Sequence, residues 1–189
     1  GNSNSSPVRL RGDVASSGSY TGCLAGRISP ATYQKIQGYC QVAGVDYVGG
    51  LAGYDFNGNL TLSNIVMSGT VSGTTYVGGI MGRQRGGSVA YAASAMTVTA
   101  SSTPKGSLIG EVDWWPSLSK SVAYDHNSLS IVGGSNSCGG CPGNPVAHVT
   151  LETLTNLKTT ANYTTDDSRD WDLTTTWGIS SGNTFPWLK

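Results

Sequence analysis

Charge is the first scarcity. Eleven Lys and Arg stand against eleven Asp and Glu in 189 residues, 12% charged and net zero. So thin and even a distribution leaves no basic stripe for nucleic acid and no polybasic or acidic tail, which excludes a polyelectrolyte partner. Long apolar runs are missing as well: no stretch reaches the roughly 18 residues that a membrane-spanning helix needs. Histidine is nearly absent, with only His126 and His148. No His-Glu-x-x-His occurs, so a zinc peptidase site cannot be built, and both histidines read as surface residues. Gly-x-Ser-x-Gly is lacking too, and no Ser/His/Asp set presents itself. The first residues do not read as a signal peptide. Gly1 directly before a Ser/Asn stretch reads as a cleavage point, so the chain is expected to be a fragment of a longer one.

Glycine is what the chain has, 27 of them, with Ser, Thr and Asn filling much of the rest. That mixture makes poor helices and suits closely stacked turns. Regular apolar punctuation argues against disorder. The punctuation is a repeat. Tyr47-Val48-Gly49-Gly50-Leu51-Ala52-Gly53 is nearly restated by Tyr76-Val77-Gly78-Gly79-Ile80-Met81-Gly82, and Tyr20-Thr21-Gly22-Cys23-Leu24-Ala25-Gly26 is a third copy. Gly106-Ser107-Leu108-Ile109-Gly110 is a weaker fourth and Ile131-Val132-Gly133-Gly134 a decayed fifth. The leading glycines, Gly22, Gly49, Gly78, Gly106 and Gly133, step by 27, 29, 28 and 27 residues. A near-constant period in this range marks a solenoid, each repeat being one coil stacked on the last.

The expected fold is therefore all-β, a parallel β-solenoid of about five coils. Residues 1–19 form an N-terminal strand or cap, 20–145 the repeats, and 146–189 a capping segment. Within a coil, one buried strand comes from the Tyr-Val-Gly-Gly-Leu segment. A second comes from Leu60–Val66 and from the Ser-Val-Ala-Tyr strings at Ser88 and Ser121, and a third from Cys40–Val42, Gly69–Val71 and Met96–Thr99. Leu151 to Leu157 has apolar spacings of three and suits a helical turn. Trp171, Trp177, Phe185 and Trp187 make a hydrophobic plug of the kind an exposed solenoid end requires.

Gly50-Leu51-Ala52-Gly53 and Gly79-Ile80-Met81-Gly82 resemble the Gly-Leu-x-Gly (GLUG) repeat of large bacterial surface proteins, where it occurs in adhesins and beside the protease domain of some immunoglobulin-cleaving peptidases. Trp177-Gly178-Ile179 with Phe185-Pro186-Trp187-Leu188 is similar to the ending that often follows such repeats. The resemblance covers about residues 20–135 and 171–189, and it implies a parallel β-solenoid on a bacterial surface. Cys23 and Ser107 depart from the usual second glycine.

Residues of one phase stack in space at about 4.8 Å. Just after the motif the coils read Arg27, then Tyr54-Asp55-Phe56-Asn57, then Arg83-Gln84-Arg85, then Glu111-Val112-Asp113-Trp114-Trp115-Pro116. One edge of the stack should thus gather the candidate ligand-binding residues Tyr54, Phe56, Arg83, Arg85, Asp113, Trp114 and Trp115, which suit sugar or protein recognition. Asp55 with Glu111 or Asp113 supplies the carboxylate pair that glycoside hydrolysis needs, but Arg83 and Arg85 between them favour charge pairing. Arg11-Gly12-Asp13 matches the integrin tripeptide, and so short a match is read as accidental. Asp55-Phe56-Asn57-Gly58-Asn59 opens like a calcium loop without its closing Glu, so it reads as a plain turn. Four cysteines and few charges suit an exported setting. Cys138 with Cys141 would close a small disulfide loop, and Cys23 with Cys40 is the candidate second bridge.

These features favour a non-catalytic recognition module: the terminal head of a bacterial adhesin or fibre, extracellular or at the cell surface, with no cofactor and no metal. Its partner would be a surface glycan or protein of another cell. Lys189 follows the closing Pro-Trp-Leu at once, so the head is expected to end the molecule, and fibre heads offer the analogy of a homotrimer. A structural spacer of a large surface protein and a polysaccharide-active β-helix enzyme of phage or bacteria are the alternatives.

Overall fold

In the computed structural model, residues 6–113, 117–124, 128–135, 149–164 and 171–189 are described. The chain is a parallel β-solenoid of about four turns. A first strand, β1 (Val8–Ala15), leads into coil one: β2 (Thr21–Gly22), β3 (Ala25–Ile28) and β4 (Thr32–Ala43). Coil two is β5 (Asp46–Gly49), β6 (Ala52–Asp55) and β7 (Thr61–Gly73), and coil three is β8 (Thr75–Gly78), β9 (Met81–Gln84) and β10 (Ser88–Ala100). Coil four is β11 (Lys105–Gly106), β12 (Ile109–Val112), β13 (Ser117–Ser119) and β14 (Ser121–Tyr124), followed by β15 (Val132–Ser135) and β16 (Val149–Glu152). Stacking gives three parallel sheets: a long one of β1-β4-β7-β10-β14-β16 with β13 also on β10, and two short ones, β2-β5-β8-β11 and β3-β6-β9-β12-β15.

The repeat motif is a corner rather than one strand. Its first half lies in the first short sheet and its second half in the other, with the turn between them at Gly50-Leu51. Leu51, Ile80 and Leu108 sit at this turn with no exposure and fill the core. The glycines let backbones touch. A Cβ on Gly79 would run into Ser107 O and the Ser94 hydroxyl, and one on Gly53 into Tyr47 O. The second and third strands expected in each coil are in turn one long strand. It bends at Lys35, Asn64, Tyr91 and Lys120, each left-handed with φ between 49° and 55°.

Register corrects three expectations. Gly22, Gly49, Gly78 and Gly106 do stack, with the steps of 27, 29 and 28. Gly133 does not join them: Ile109 pairs with Val132 and Glu111 with Gly134, so Gly133 stacks on Gly110, in the other half of the motif. This shortens the fourth step to 23 residues (Ile109 to Val132) and leaves about four turns instead of five. The second Ser-Val-Ala-Tyr is likewise out of phase. Ser88 pairs with Ser117, while Val122 pairs with Ala93.

The third correction concerns the aromatic C-terminus, which lies along the flank of the long sheet instead of plugging an end. Beyond β16 come two helical turns, α1 (Leu154–Leu157) and α2 (Ala161–Thr164), then the short antiparallel pair β17 (Trp177–Gly178) and β18 (Trp187–Leu188). Tyr163, Trp171, Trp177 and Leu188 cover Val66, Ala93 and Val122, successive outward residues of β7, β10 and β14. The Trp171 indole N–H donates to Lys120 O at 2.8 Å. At the far end Arg9 donates to Leu188 O at 3.2 Å, and Gln37 Oε1 accepts from Leu188 N at 3.2 Å. Asp172 holds the turn between the two tryptophans by accepting from the hydroxyls of Thr174, Thr175 and Thr176. Those hydrogen bonds keep its carboxyl well below the usual carboxylate range.

Candidate functional site

The glycine corner folds the two short sheets together so that their outer side chains meet. From the first come Tyr20, Tyr47 and Tyr76, the opening residues of three motif copies. Their rings stack face to face at 4.9 and 4.5 Å, tilted by only 7° and 1°. All three have positive φ, between 55° and 66°. The left-handed backbone costs about 1–2 kcal/mol per residue, and each ring pair gives back about 0.5–1.5 kcal/mol beyond its burial. From the other sheet comes the file Arg27–Tyr54–Arg83–Glu111, one residue per coil. Tyr54 leans on Tyr20 and Tyr47 at 5.6 and 5.5 Å. The Arg27 guanidinium lies 3.8 Å from the centre of the Tyr20 ring, and that of Arg83 lies 5.4 Å from Tyr76 and 5.8 Å from Tyr47.

A charged cluster continues the file. Arg83 Nη2 donates to Asp113 Oδ1 at 2.7 Å; its Nε is 2.8 Å from Glu111 Oε2, close enough for an ion pair but out of line for a hydrogen bond. Arg85 Nε is 3.6 Å from Asp113 Oδ2, and its Nη1 donates to Phe56 O at 3.3 Å. Burial alone would lower the Arg83 value, but Asp113 and Glu111 outweigh it and raise it. Burial pushes the Glu111 carboxyl up; Arg83 opposes this and Asp113 adds to it. The Tyr47 phenol is also raised, chiefly by burial.

The expected edge therefore exists in part. Tyr54, Arg83, Arg85 and Asp113 come together, with Phe56 beside them, 49% exposed and 5.8 Å from the Arg27 guanidinium. Trp114 and Trp115 lie outside the described residues, as do Cys138, Cys141, His126 and His148. Asp55 does not reach the edge. It is fully buried on the interior face, in register with Ile28, while Glu111 and Asp113 sit on the outer face and pair with Arg83 and Arg85, the charge pairing that the sequence favours over a carboxylate pair with Asp55. Its Oδ1 accepts from Gly58 N at 3.2 Å, which makes the calcium-like stretch a turn. Among the described residues no group of three or more His, Cys, Asp or Glu could hold a metal ion.

Cys23 and Cys40 form a disulfide with Cα atoms 6.3 Å apart, joining the glycine corner to the long sheet. Arg11-Gly12-Asp13 lies on β1, the edge strand of that sheet. Its two charged side chains share one face, and Arg11 is 6.0 Å from the Tyr39 ring. The tyrosine ladder went unpredicted although its signal was present, since a Tyr opens each of three copies at constant phase.

Neither a protein-family model nor a curated protein nor a solved structure matches this chain.

Proposed function

We propose that this chain is a non-catalytic recognition module, the terminal head of a bacterial adhesin or fibre, and that it binds glycans or proteins of another cell through the outer face of the corner sheet. The observation that carries the reading is Phe56. It is a half-exposed ring with Arg27 and Arg85 at its margins, beside the Tyr and Arg files of the corner. Planar cations around an exposed aromatic face suit sugar rings and protein hot spots alike. Tyr47 is stacked between Tyr20 and Tyr76, and Arg27 lies over Tyr20, so a sugar would stack on Phe56 and meet Tyr20 and Tyr47 only at their edges. The Cys23–Cys40 disulfide supports an exported setting, and the resemblance to GLUG repeats supports the bacterial surface.

A glycan array and a whole-cell binding assay test this. Phe56→Ala and Arg27→Ala should lower binding at least about tenfold, the loss of one contact worth about 1.4 kcal/mol, with the melting temperature nearly unchanged. Trp114→Ala and Trp115→Ala belong in the same panel. Undiminished binding by all four variants sinks the edge as the binding site. The self-contained Tyr and Arg zipper favours a second reading, a structural spacer, for which no ligand would be found in either assay.

A further inference from the structure

One polar pair is buried inside the solenoid with no evident role. Asp55, at the end of β6, and Gln84, at the end of β9, are both 0% exposed and occupy adjacent rungs, since Tyr54 pairs with Arg83 immediately before them. Their neighbours in the same interior file are Ile28 below and Val112 above. Each has one satisfied end. Asp55 Oδ1 accepts from Gly58 N, and Gln84 Nε2 donates to Gly86 O at 2.9 Å, which fixes the amide's orientation. Each also has one orphan, Asp55 Oδ2 and Gln84 Oε1, and both orphans are acceptors. Two unpartnered acceptors on adjacent rungs of a buried file cannot hydrogen-bond each other unless one of them carries a proton.

We propose that Asp55 is carried as the neutral acid, its Oδ2 proton donated to Gln84 Oε1, and that release of this proton to solvent loosens the two stacked turns that display Phe56 and Arg85. Those turns lie directly on one another: the Gly58 position abuts Arg85, and Arg85 Nη1 holds Phe56 O. Among the described residues no charged side chain faces Asp55 from the strands around it, because Arg27 on β3, Arg83 on β9 and Glu111 on β12 alternate to the outer face. Arg85 and Asp113 follow to the same outer side, where they pair. Backbone N–H groups of Gly58, Asn57, Arg85 and Gly86 favour the anion, but burial outweighs them and raises the Asp55 carboxyl above its ordinary value. Only the naming of Phe56 and Arg85 as ligand-facing rests on the proposed function.

Neither test needs a ligand, so a failed binding assay leaves both intact. The first follows the Asp55 carboxyl ¹³C shift of the wild-type chain with pH. The expected result is a midpoint well above the ordinary Asp value of about 3.9; a midpoint at or below that value overturns the proposal. The second follows hydrogen exchange at Asn57–Asn59 and Arg85–Gly87, corrected for intrinsic base catalysis. Protection in the wild type should fall about tenfold for each unit by which the midpoint is raised, as pH rises from the ordinary Asp value of about 3.9 to that midpoint. Asp55→Asn, whose amide can donate to Gln84 Oε1 permanently, should lose that fall. If the variant keeps it, the coupling of the proton to the turns is overturned.

Discussion

Glycine decides most at the scale of the residue, because the corner has no room for Cβ atoms. Gly79→Val would drive a branched side chain into Ser107 O and Ser94, one a backbone atom that cannot swing away. Overpacking of this kind costs about 1–3 kcal/mol and more against backbone, so the melting temperature should fall sharply. Gly18→Ala is the control, since its Cβ would meet nothing nearer than Ser16 Oγ at 3.6 Å. Similar melting temperatures for the two variants would refute this account of the corner. Arg83 is the second decisive residue. Without it Glu111 and Asp113 remain almost buried and close to one another, and breaking such a pair costs about 3–5 kcal/mol when burial is complete. The deficit of Arg83→Ala should depend on pH. Glu111 is already raised by burial, and loss of Arg83 raises it further, so the folded state binds the extra proton between the ordinary Glu value of about 4.3 and the raised one. Stability then falls as pH rises through that window and is regained on acidification. A deficit that grows toward acid would contradict this sign.

Elements are set by where side chains must point. The long strands keep two faces busy only by bending. Val66 turns outward to the aromatic flank while Ile65 and Met67 enter the core, and the left-handed residue Asn64 resets the alternation just before them. The same device at Tyr20, Tyr47 and Tyr76 turns a valine-bearing strand so that Val48 and Val77 go in and the rings stay out. Period-two reading of the sequence located these strands but divided them wrongly, because a single left-handed residue shifts the phase and leaves no mark in an apolar pattern.

For the whole molecule, the consequential contact is between the first coil and the last residues. The C-terminal segment reaches from Lys120 in coil four to Arg9 and Gln37 at the other end, so it ties together coils that touch only their neighbours. Solenoids without such a tie can open coil by coil. This one should melt in a single transition, with calorimetric and van't Hoff enthalpies in agreement. Trp177→Ala, which empties a site 1% exposed against Trp171, should move that whole transition by about 3–5 kcal/mol. A separate early transition in the wild type would show instead that the flank and the stack are independent.

The amino-acid sequence by itself determined the solenoid, the phase of four stacked glycines and the clustering of Arg, Asp and aromatic residues after the motif. Each of these is a matter of period, and period survives in one dimension. The tertiary structure alone decided which face each residue takes. Asp55 and Phe56 are adjacent in the chain, yet one is sealed in the core and the other stands at the edge. The fifth glycine pair belonged to the other half of the motif, a slip of four residues that only hydrogen-bonded register could reveal. The tryptophan-rich end had the composition of a plug, but composition says only that apolar surface must be covered. Which surface it covers was settled by Val66, Ala93 and Val122, whose outward file appears only once the coils are stacked.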